Sequence, residues 1–395
     1  MTLSSASDQP RQQTIGLAIA GLGGFAASIT DRIQHAAGQS AVPPFEIVAV
    51  GDPAASIPAQ AERRTMLEAE GTKVFDDFHD TLALPGVDAV WLPVPIPLHR
   101  SFVEASFAAG KHVICEKPLA GSVEDVDAMI RARDAAGLAG LVGFHDLYHP
   151  DTMAIKRRLL DGEIGEVTDV TVIGSWPRDT AYFSRAGWAG RQTQGGIAVY
   201  DSPANNAMAH YLMLALFFLG EGPLDAATPA TVEARTWRAA PIENYDTVDA
   251  RFDFGGGVSL RLLLTHADQR TFAPQIILQG ARGTWAWTHK ADSPPIVGMD
   301  RRFVGPPETS QQLIGAIARV LTGEADESQP YATFETARAH AVAIELIQRS
   351  SDIQTLAAPK VEPVPSGNEG AVIHHVPGLL EAMIDAAKTG LPLSI

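Results

Sequence analysis

Cysteine is almost absent from this chain, which has one copy, Cys115, in 395 residues. A single thiol cannot form an intrachain disulfide, so the fold must be stabilised by an apolar core, and a reducing, cytoplasmic compartment is expected. The apolar run around Cys115 favours a buried packing residue, because a catalytic thiol needs a nearby histidine or a helix N-terminus.

Positively charged residues are also scarce: 30 lysines and arginines stand against 46 aspartates and glutamates, which gives a net charge of −16. Binding to nucleic acid needs a basic face, so no nucleic acid partner is expected. Long apolar runs are missing as well. A membrane-spanning helix needs about 20 mostly apolar residues, and no stretch of this sequence meets that requirement.

The start of the chain has two interpretations. Residues 1–13 are polar and are expected to be disordered. Residues 14–27 are apolar and follow Arg11, a pattern that also occurs in the core of a signal peptide. The glycines within this segment favour a buried strand that ends in a loop.

Residues 14–145 alternate between short apolar runs and helical patterns. The apolar runs have the length of buried parallel strands, and glycines or capping residues stand at the ends of several helical segments. The predicted strands are 14–20, 45–50, 87–92, 112–115 and 138–144, and the predicted helices are 24–37 (with Gly38 near its end), 62–70, 101–109 and 122–136. This alternation predicts βαβ units and a parallel sheet with both faces covered.

The pattern changes after about residue 150. Helices are predicted at 153–161, 204–219 and 309–322, and strands at 167–174, 231–238, 246–254, 257–265, 274–279 and 283–288. For residues 146–330 this order predicts a mostly antiparallel sheet with helices on one face. Residues 331–395 are expected to add helices near 333–350 and 376–389 that pack back on the body, with a proline-containing loop at 355–371.

The first apolar run ends in residues 21–26 (Gly-Leu-Gly-Gly-Phe-Ala), a variant of the dinucleotide-binding fingerprint. Gly21 would make the tight turn, Gly23 would let the backbone approach a pyrophosphate, and the small Ala26 would let helix and strand pack closely. Gly24 and Phe25 belong to the helix N-terminus, whose amides favour an anion. The segment therefore predicts the pyrophosphate site of a dinucleotide.

Two features after the next strands extend this prediction. Asp52 ends the second strand, where a carboxylate can bind both ribose hydroxyls and repel a 2′-phosphate, so NAD is favoured over NADP. A turn former before Pro53 is the alternative. Val94, Pro95 and His99 lie in a proline-rich loop at the carboxyl edge of the sheet, where ligands bind in open α/β folds. A plain rigid turn is the alternative for this loop.

These motifs resemble the Gfo/Idh/MocA oxidoreductase family. The resemblance also rests on residues 109–120 (Ala-Gly-Lys-His-Val-Ile-Cys-Glu-Lys-Pro-Leu-Ala), on residues 162–167, and on Gly195-Gly196 followed by Asp201. It implies an α/β Rossmann domain with a parallel sheet, residues 14–145, plus an α+β domain with an open, mostly antiparallel sheet. It further implies a nicotinamide dinucleotide, a sugar-like or polyol substrate, and a homodimer or homotetramer formed through the open sheet.

Glu116 and Lys117 follow the fourth predicted strand. Partial burial and a positively charged nicotinamide ring would lower the pKa of the lysine and make it a usable acid or base. The resemblance implies this catalytic role for Lys117 and places both residues beside the cofactor. A lysine that pairs with Glu116 at a strand end is the alternative.

The family pattern after the paired glycines is an aspartate and, four residues later, a histidine. Asp201 matches the aspartate, but Asn205 stands at the position of the histidine, and an amide cannot exchange a proton at neutral pH. Asn205 or Asn206 is expected to hold a substrate hydroxyl, unless these side chains only bond backbone groups at the helix start. His210 is a candidate for the missing base, although a histidine on an apolar helix is commonly a core residue.

Further candidates flank these motifs. His145 follows the last strand of the first domain and is a candidate contact to cofactor or substrate, whereas the spacing of His145 and His149 is too weak a pattern to predict a metal site. Tyr182, Trp188 and Arg191 lie in a glycine-rich stretch that would cover a sugar, with surface packing as the alternative.

The sequence therefore predicts an NAD-dependent oxidoreductase for a sugar, polyol or related compound, without a metal. Two alternatives remain open: a redox-neutral enzyme that uses tightly bound NAD for elimination or glycoside cleavage, and a protein that binds NAD(H) without chemistry.

Overall fold

The computed structural model describes residues 14–37, 45–305, 310–325 and 331–395. Its first part contains six parallel strands in the order β3-β2-β1-β4-β5-β6. The strands are β1 (Ile15–Ala20), β2 (Phe45–Gly51), β3 (Lys73–Phe75), β4 (Ala89–Leu92), β5 (His112–Cys115) and β6 (Gly140–Val142), and the helices are α1 (Gly24–Ala37), α2 (Ala61–Ala69), α3 (His79–Leu82), α4 (His99–Ala108) and α5 (Val123–Ala136). The strand order reverses between β1 and β4, which is where a doubly wound sheet opens a crevice for a ligand.

The parallel sheet agrees with the prediction except at one edge. β3 has three residues, none of them buried, and pairs only with β2. Its sequence gives no apolar run, so periodicity could not reveal it. Both ends of α5 are set by single residues. The Ser122 side chain accepts a hydrogen bond from the Asp125 amide at the start of the helix, and Gly137 ends the helix in the left-handed region.

The second sheet has eight strands in the order β15-β14-β13-β7-β12-β11-β10-β16. Four of its seven strand pairs are antiparallel, so the sheet is mixed but mostly antiparallel, as predicted. In chain order the elements of this part are α6 (Pro150–Leu160), β7 (Val167–Ser175), α7 (Thr180–Ser184), β8 (Thr193–Gln194), β9 (Ile197–Ala198), α8 (Ala209–Leu219), β10 (Thr231–Arg238), β11 (Thr247–Asp253), β12 (Ser259–Thr265), β13 (Phe272–Gly280), β14 (Gly283–Thr288), β15 (Arg301–Val304), α9 (Ser310–Leu321), α10 (Phe334–Ser350), β16 (Ile353–Thr355), β17 (Glu362–Pro365), β18 (Val372–His375) and α11 (Leu379–Thr389).

Both faces of this sheet carry a helix, which corrects the expectation of helices on one face. Alternate residues point to opposite sides of a strand, and Val172 of β7 belongs to the core shared with α8, while its neighbour Ile173 belongs to a second apolar cluster. Leu380 and Met383 of α11 lie in that second cluster. The C-terminal helix therefore covers the face that the sequence analysis left open.

The helix predicted at 204–219 is divided in two. Pro203–Ala207 forms a π-helical turn, and the regular helix α8 begins at Ala209. Ser202 caps the turn by accepting a hydrogen bond from the Asn205 amide at 3.2 Å. A π turn holds one more residue than an α turn, so it changes which side chains share a face.

Two predictions fall on residues outside the described part of the chain: disorder in residues 1–13 and the glycine end signal at Gly38. Across the described residues, the structure contains no helix with the length and apolar character required to cross a bilayer.

Candidate active site

The loop after β1 is shaped by its glycines. Gly21 has φ of 120°, and a Cβ added there would lie 2.8 Å from the Cβ of Ala26, so the turn requires glycine and a small residue at those two positions. A Cβ on Gly23 would meet the side-chain amide of Gln60 at 2.4 Å. Phe25 is 50% exposed on the first turn of α1. This cradle fits the pyrophosphate of a dinucleotide, and Gln60, which no sequence pattern indicated, lies against it.

Asp52 fixes the position of this loop. Its carboxylate accepts hydrogen bonds from the backbone amides of Leu22 and Ala54, each at 2.7 Å. The side chain is half-buried, and each carboxylate oxygen has a further lone pair for a ribose hydroxyl. The geometry fits the predicted ribose contact.

His99 lies beneath the cofactor groove. It is 1% exposed, and its ring nitrogens lie 2.9 Å from the Val94 carbonyl and 3.0 Å from the Leu119 carbonyl. Burial lowers the pKa of His99, and the two carbonyls act in the opposite direction. His99 thus joins the loop after β4 to the loop after β5, which favours a positioning role over direct cofactor contact. Val94 is half-buried and Pro95 is exposed.

Glu116 is buried under the last strand of the parallel sheet. Its carboxylate accepts a hydrogen bond from the Trp91 indole at 3.1 Å, and a Cβ on Gly143 would collide with it at 2.5 Å. Burial raises the pKa of Glu116, and the hydrogen bond from Trp91 and the charge of Lys117 reduce that effect. Glu116 therefore lies in the interior next to Lys117, and its predicted contact with the cofactor stays a prediction.

Lys117 projects from the carboxyl end of β5 towards the second domain. Its Nζ donates a hydrogen bond to the Asn206 carbonyl at 2.9 Å and lies 3.4 Å from the Asn206 side-chain oxygen. Burial lowers the pKa of this amine, the charges of Glu116 and Asp201 raise it, and Arg185 and Arg178 lower it again. The alternative interpretation was a lysine that pairs only with Glu116, but Lys117 also contacts Asn206 of the second domain.

Asp201 and Asn206 form the other half of this arrangement. The Asp201 carboxylate accepts hydrogen bonds from the Gly190 amide at 2.6 Å and from the Asn206 side-chain amide at 2.7 Å. Burial raises the pKa of Asp201, and these two hydrogen bonds oppose the rise. A chain of polar contacts thus runs from Lys117 through Asn206 to Asp201.

Asn205, a predicted catalytic residue, does not contact Lys117 in the structure. This residue is fully buried, and its side-chain amide donates to the Val199 carbonyl at 2.8 Å. The π turn inserts one residue, so Asn206 and not Asn205 faces Lys117. The family pattern, which counts four residues from Asp201, leads to Asn205, whereas the side chain that reaches Lys117 in this structure is that of Asn206.

His210 lies near the start of α8 beside His145. Their ring centroids are 4.0 Å apart, and His210 Nδ1 lies 3.6 Å from the Asp146 carboxylate. Burial, together with the charges of His145 and Lys117, lowers the pKa of His210 well below its ordinary value, which makes the ring a weak base. The sequence did not indicate this cluster, because Asp146 and His210 come from different parts of the chain.

Aromatic rings and arginines cover the approach to Lys117. Tyr182 Oη lies 3.5 Å from the Asn206 amide, and the Arg185 guanidinium stacks at 3.6 Å from the Tyr182 ring centroid and 4.8 Å from that of Trp188. Arg178 lies 4.5 Å from the same Tyr182 ring. Arg191, the predicted residue, is exposed, and its backbone carbonyl accepts from the Asp201 amide. The sequence analysis did not predict Arg178 and Arg185 as site residues. Each lies within three residues of an aromatic residue, a spacing that is compatible with the ring contacts seen here.

A doubly wound sheet with a glycine cradle, joined to a second domain whose π turn and preceding loop carry Asn206 and Asp201, defines a two-domain dinucleotide-binding protein. Residues 15–144 match the model of an oxidoreductase family with an NAD-binding Rossmann fold, and residues 152–286 match the GFO/IDH/MocA C-terminal domain. The chain belongs to the Gfo/Idh/MocA family, and its first domain is an NAD-binding domain.

Curated relatives share part of this sequence. Inositol 2-dehydrogenase of Rhizobium meliloti (strain 1021) is 28% identical over 200 residues, which cover 50% of this chain and 54% of the relative. D-xylose 1-dehydrogenase (NADP(+)) 2 of Haloferax volcanii is 32% identical over 121 residues, 30% of this chain and 37% of the relative. The chain spans about half, or less, of the length of these curated relatives.

Solved structures share the fold over most of the chain. The WlbA dehydrogenase from Bordetella pertussis, determined with NADH and UDP-GlcNAcA, has a TM-score of 0.69 and 24% identity and covers 86% of this chain and 96% of its own. Levoglucosan dehydrogenase, determined with NADH, has a TM-score of 0.67 and 17% identity. The match covers 86% of this chain and 97% of levoglucosan dehydrogenase. At these identities the likeness shows the fold.

Proposed function

We propose that this protein is an NAD-dependent oxidoreductase that acts on a sugar, a polyol or a related hydroxy or carbonyl compound. The observation that carries the proposal is the position of Lys117, an amine of lowered pKa at the carboxyl edge of the NAD-binding sheet, held by Asn206 of the second domain. Bound NAD would supply the acceptor or donor of a hydride, and Lys117 would accept or donate the accompanying proton.

The neighbouring side chains have separable roles in this proposal. Asp201 orients the amide of Asn206 through the 2.7 Å hydrogen bond, and Asn206 in turn positions the Lys117 amine. The Asn206 amide and the Tyr182 hydroxyl provide donors and acceptors for substrate hydroxyls. Asp52 supports NAD as the working cofactor, because its carboxylate would repel a 2′-phosphate.

We further propose that the substrate carries an acidic group. Arg178 and Arg185 flank Tyr182. Each donates one hydrogen bond to a carbonyl, that of Pro177 at 3.2 Å and that of Tyr182 at 2.6 Å, and neither forms an ion pair with a carboxylate among the residues that the structure describes. The Arg178 Nε is buried without a hydrogen-bond partner in the same part of the chain. Two cations with free donors favour a carboxylate or phosphate on the substrate, which a guanidinium binds with good geometry.

A substrate screen tests the proposal. Purified protein is mixed with NAD or NADP and with aldoses, polyols, uronic acids and sugar phosphates, and the absorbance of the reduced nicotinamide is followed. We expect reduction of NAD in preference to NADP, with acidic sugars turned over better than their neutral counterparts. Binding of NADH without turnover of any compound would contradict the proposal and leave a protein that only binds NAD(H).

A redox-neutral reaction is supported by one observation: the family pattern has a histidine where this chain has Asn205, and the residue that contacts Lys117 is a second asparagine, Asn206. Lys117 is then the principal proton-exchanging side chain in contact with Asn206, and tightly held NAD would be reduced and reoxidised within one turnover. The same screen, followed by chromatography of the products, separates the two reactions, because only this one gives product without net NADH.

A further inference from the structure

Three side chains from two elements meet beside the lysine. His145 and Asp146 lie in the 3₁₀ turn after β6, and His210 lies in the first turn of α8. His145 Nε2 and His210 Nδ1 each lie 3.6 Å from the Asp146 Oδ2. One nitrogen of each ring and the carboxylate oxygen all lie within 4.8 Å of one another. We call these three residues the His-Asp-His cluster.

The two nitrogen–oxygen distances within the His-Asp-His cluster are too long for direct hydrogen bonds and close to the spacing of two ligand atoms on one ion. Hydrogen bonds between nitrogen and oxygen have lengths of about 2.7–3.2 Å. Two atoms bound to one zinc ion at about 2.0–2.1 Å in tetrahedral geometry are about 3.4 Å apart. The observed 3.6 Å separations therefore approach those between ligand atoms on one metal ion.

His210 provides a second, independent observation. Its Nδ1 is buried and has no hydrogen-bond partner among the described residues, although it lies next to the Asp146 carboxylate. A buried ring nitrogen without a partner is costly, and an ion in the cluster would satisfy it. The ring is held edge-on by Phe144, with centroids 5.7 Å apart, so its direction is fixed.

The cluster is also accessible from one side. The side chains of Asp146 and His210 are each 11% exposed, whereas that of His145 is 40% exposed. An ion could therefore enter past His145 and still be held on its other side by two buried ligands. Imidazole and carboxylate ligands suit zinc and related transition-metal ions, and three protein ligands leave a fourth position for water or substrate.

We propose that His145, Asp146 and His210 bind a divalent transition-metal ion, Zn²⁺ in a tetrahedral site with one open position. The ligands of this site are other side chains than those that form the glycine cradle, and the proposal does not depend on the proposed oxidoreductase activity.

Metal titration tests this site. The full-length protein is treated with a chelator, the chelator is removed, and Zn²⁺ binding is measured by calorimetry. Co²⁺ is added in parallel, because its visible spectrum reports tetrahedral geometry. We expect one ion per chain and a tetrahedral Co²⁺ spectrum. Asp146→Asn and His210→Ala should weaken Zn²⁺ binding by at least about 100-fold, more than the 10- to 100-fold that second-shell changes typically cost.

Two more variants assign the bound ion to the His-Asp-His cluster. His79 also lies beside an aspartate, Asp77, at 2.9 Å but on the surface, and His79→Ala should leave the titration unchanged. His145→Ala removes the most exposed ligand of the cluster. It should also weaken Zn²⁺ binding, and it replaces His210→Ala as the test if that variant fails to fold. Melting curves and circular dichroism spectra identify folded variants. An octahedral Co²⁺ spectrum, or binding that survives Asp146→Asn and His145→Ala in folded protein, would overturn the proposal.

Discussion

At the scale of single residues, the chemistry of Lys117 depends on the second domain as much as on β5. Its Nζ donates to the Asn206 carbonyl at 2.9 Å, and the buried carboxylates of Glu116 and Asp201 act on its charge. Burial lowers the pKa of an amine because the charged form loses solvation. Nearby carboxylates stabilise the charged form and so raise the pKa part of the way back. The balance gives an amine that can exchange protons closer to neutral pH than an exposed lysine.

Replacement of Lys117 by alanine is the direct test of its role. We expect Lys117→Ala to lower kcat by about 10²- to 10⁴-fold, the usual contribution of a general acid or base, while NADH binding is retained. The matched control is Lys111→Ala, which removes a lysine just before β5 that donates to the Val87 carbonyl. Steady-state kinetics and NADH titration on both variants measure the difference. Equal activity in the two variants would contradict the assignment.

The lowered pKa of Lys117 predicts the direction of the pH profile. Alcohol oxidation needs the neutral amine, so kcat/KM for oxidation should rise with pH, with its midpoint below the 10.5 of an ordinary lysine. Carbonyl reduction needs the protonated amine and should fall with pH through the same midpoint. Asp201→Asn removes a charge that raises this pKa, so the midpoint should move to lower pH. A midpoint that stays fixed in this variant would exclude Lys117 as the titrating group.

At the scale of elements, the π turn at Pro203–Ala207 decides which asparagine enters the site. Ser202 holds the start of the turn, and the Ala204 carbonyl lies 3.0 Å from the His340 ring nitrogen of α10. In a regular helix the turn would contain one residue fewer, and the side chains that follow would face other directions. The contact between Asn206 and Lys117 is therefore a product of this turn.

The two adjacent asparagines provide a paired test. Asn206→Ala removes the partner of Asp201, and we expect kcat to fall by about 10- to 100-fold, in line with a hydrogen bond to a charged group. Asn205→Ala leaves the buried Val199 carbonyl without its partner, so it should lower the free energy of unfolding by about 1–3 kcal/mol and leave kcat unchanged. Denaturant melts and kinetics on both variants are needed. The reverse pattern would mean that the turn is a regular helix in solution.

Sequence reasoning succeeded where local rules govern the structure. Gly21 and Ala26 are required by a close approach of loop and helix, and Ser122 caps α5 through its own side chain, so each can be predicted from neighbouring residues. Asn206 and His210 could not be assigned, because the register of the π turn and the approach of Asp146 depend on packing between distant segments. The orientation of Arg185 over Tyr182 is a tertiary contact of the same kind.

At the scale of the whole molecule, α10 connects the dinucleotide-binding domain with the site. Just before α10, the Ala332 carbonyl accepts a hydrogen bond from the Val142 amide of β6 at 3.0 Å. Within α10, Arg338 forms an ion pair with Asp127 of α5 at 2.6 Å. The same helix packs against α8, which carries His210. One helix that touches both domains thus supports the lysine and the π turn relative to each other, a condition that the proposed role of Lys117 requires.

The covered second face of the mixed sheet bears on assembly. A homodimer or homotetramer through this sheet was predicted from the family resemblance and stays a prediction, but a partner that approaches this face meets α11. Arg261 anchors the C-terminal segment, since its guanidinium bonds both Asp249 oxygens and the carbonyls of Ala386 and Leu391. An interface here would therefore include the helix, and the apolar surface beneath it would remain internal to one chain.

Displacement of α11 should expose that surface and make the protein associate. Leu380 and Met383 are 6% and 0% exposed in the apolar cluster with Ile173, and aspartate at both positions would bury two charges. We expect Leu380→Asp/Met383→Asp to lower the melting temperature and to increase the mass measured by light scattering, because exposed apolar patches drive association. Lys388→Ala, on the exposed side of α11, is the control and should leave both values unchanged. An unchanged mass and melting temperature in the double variant would show that α11 is not needed to cover the sheet.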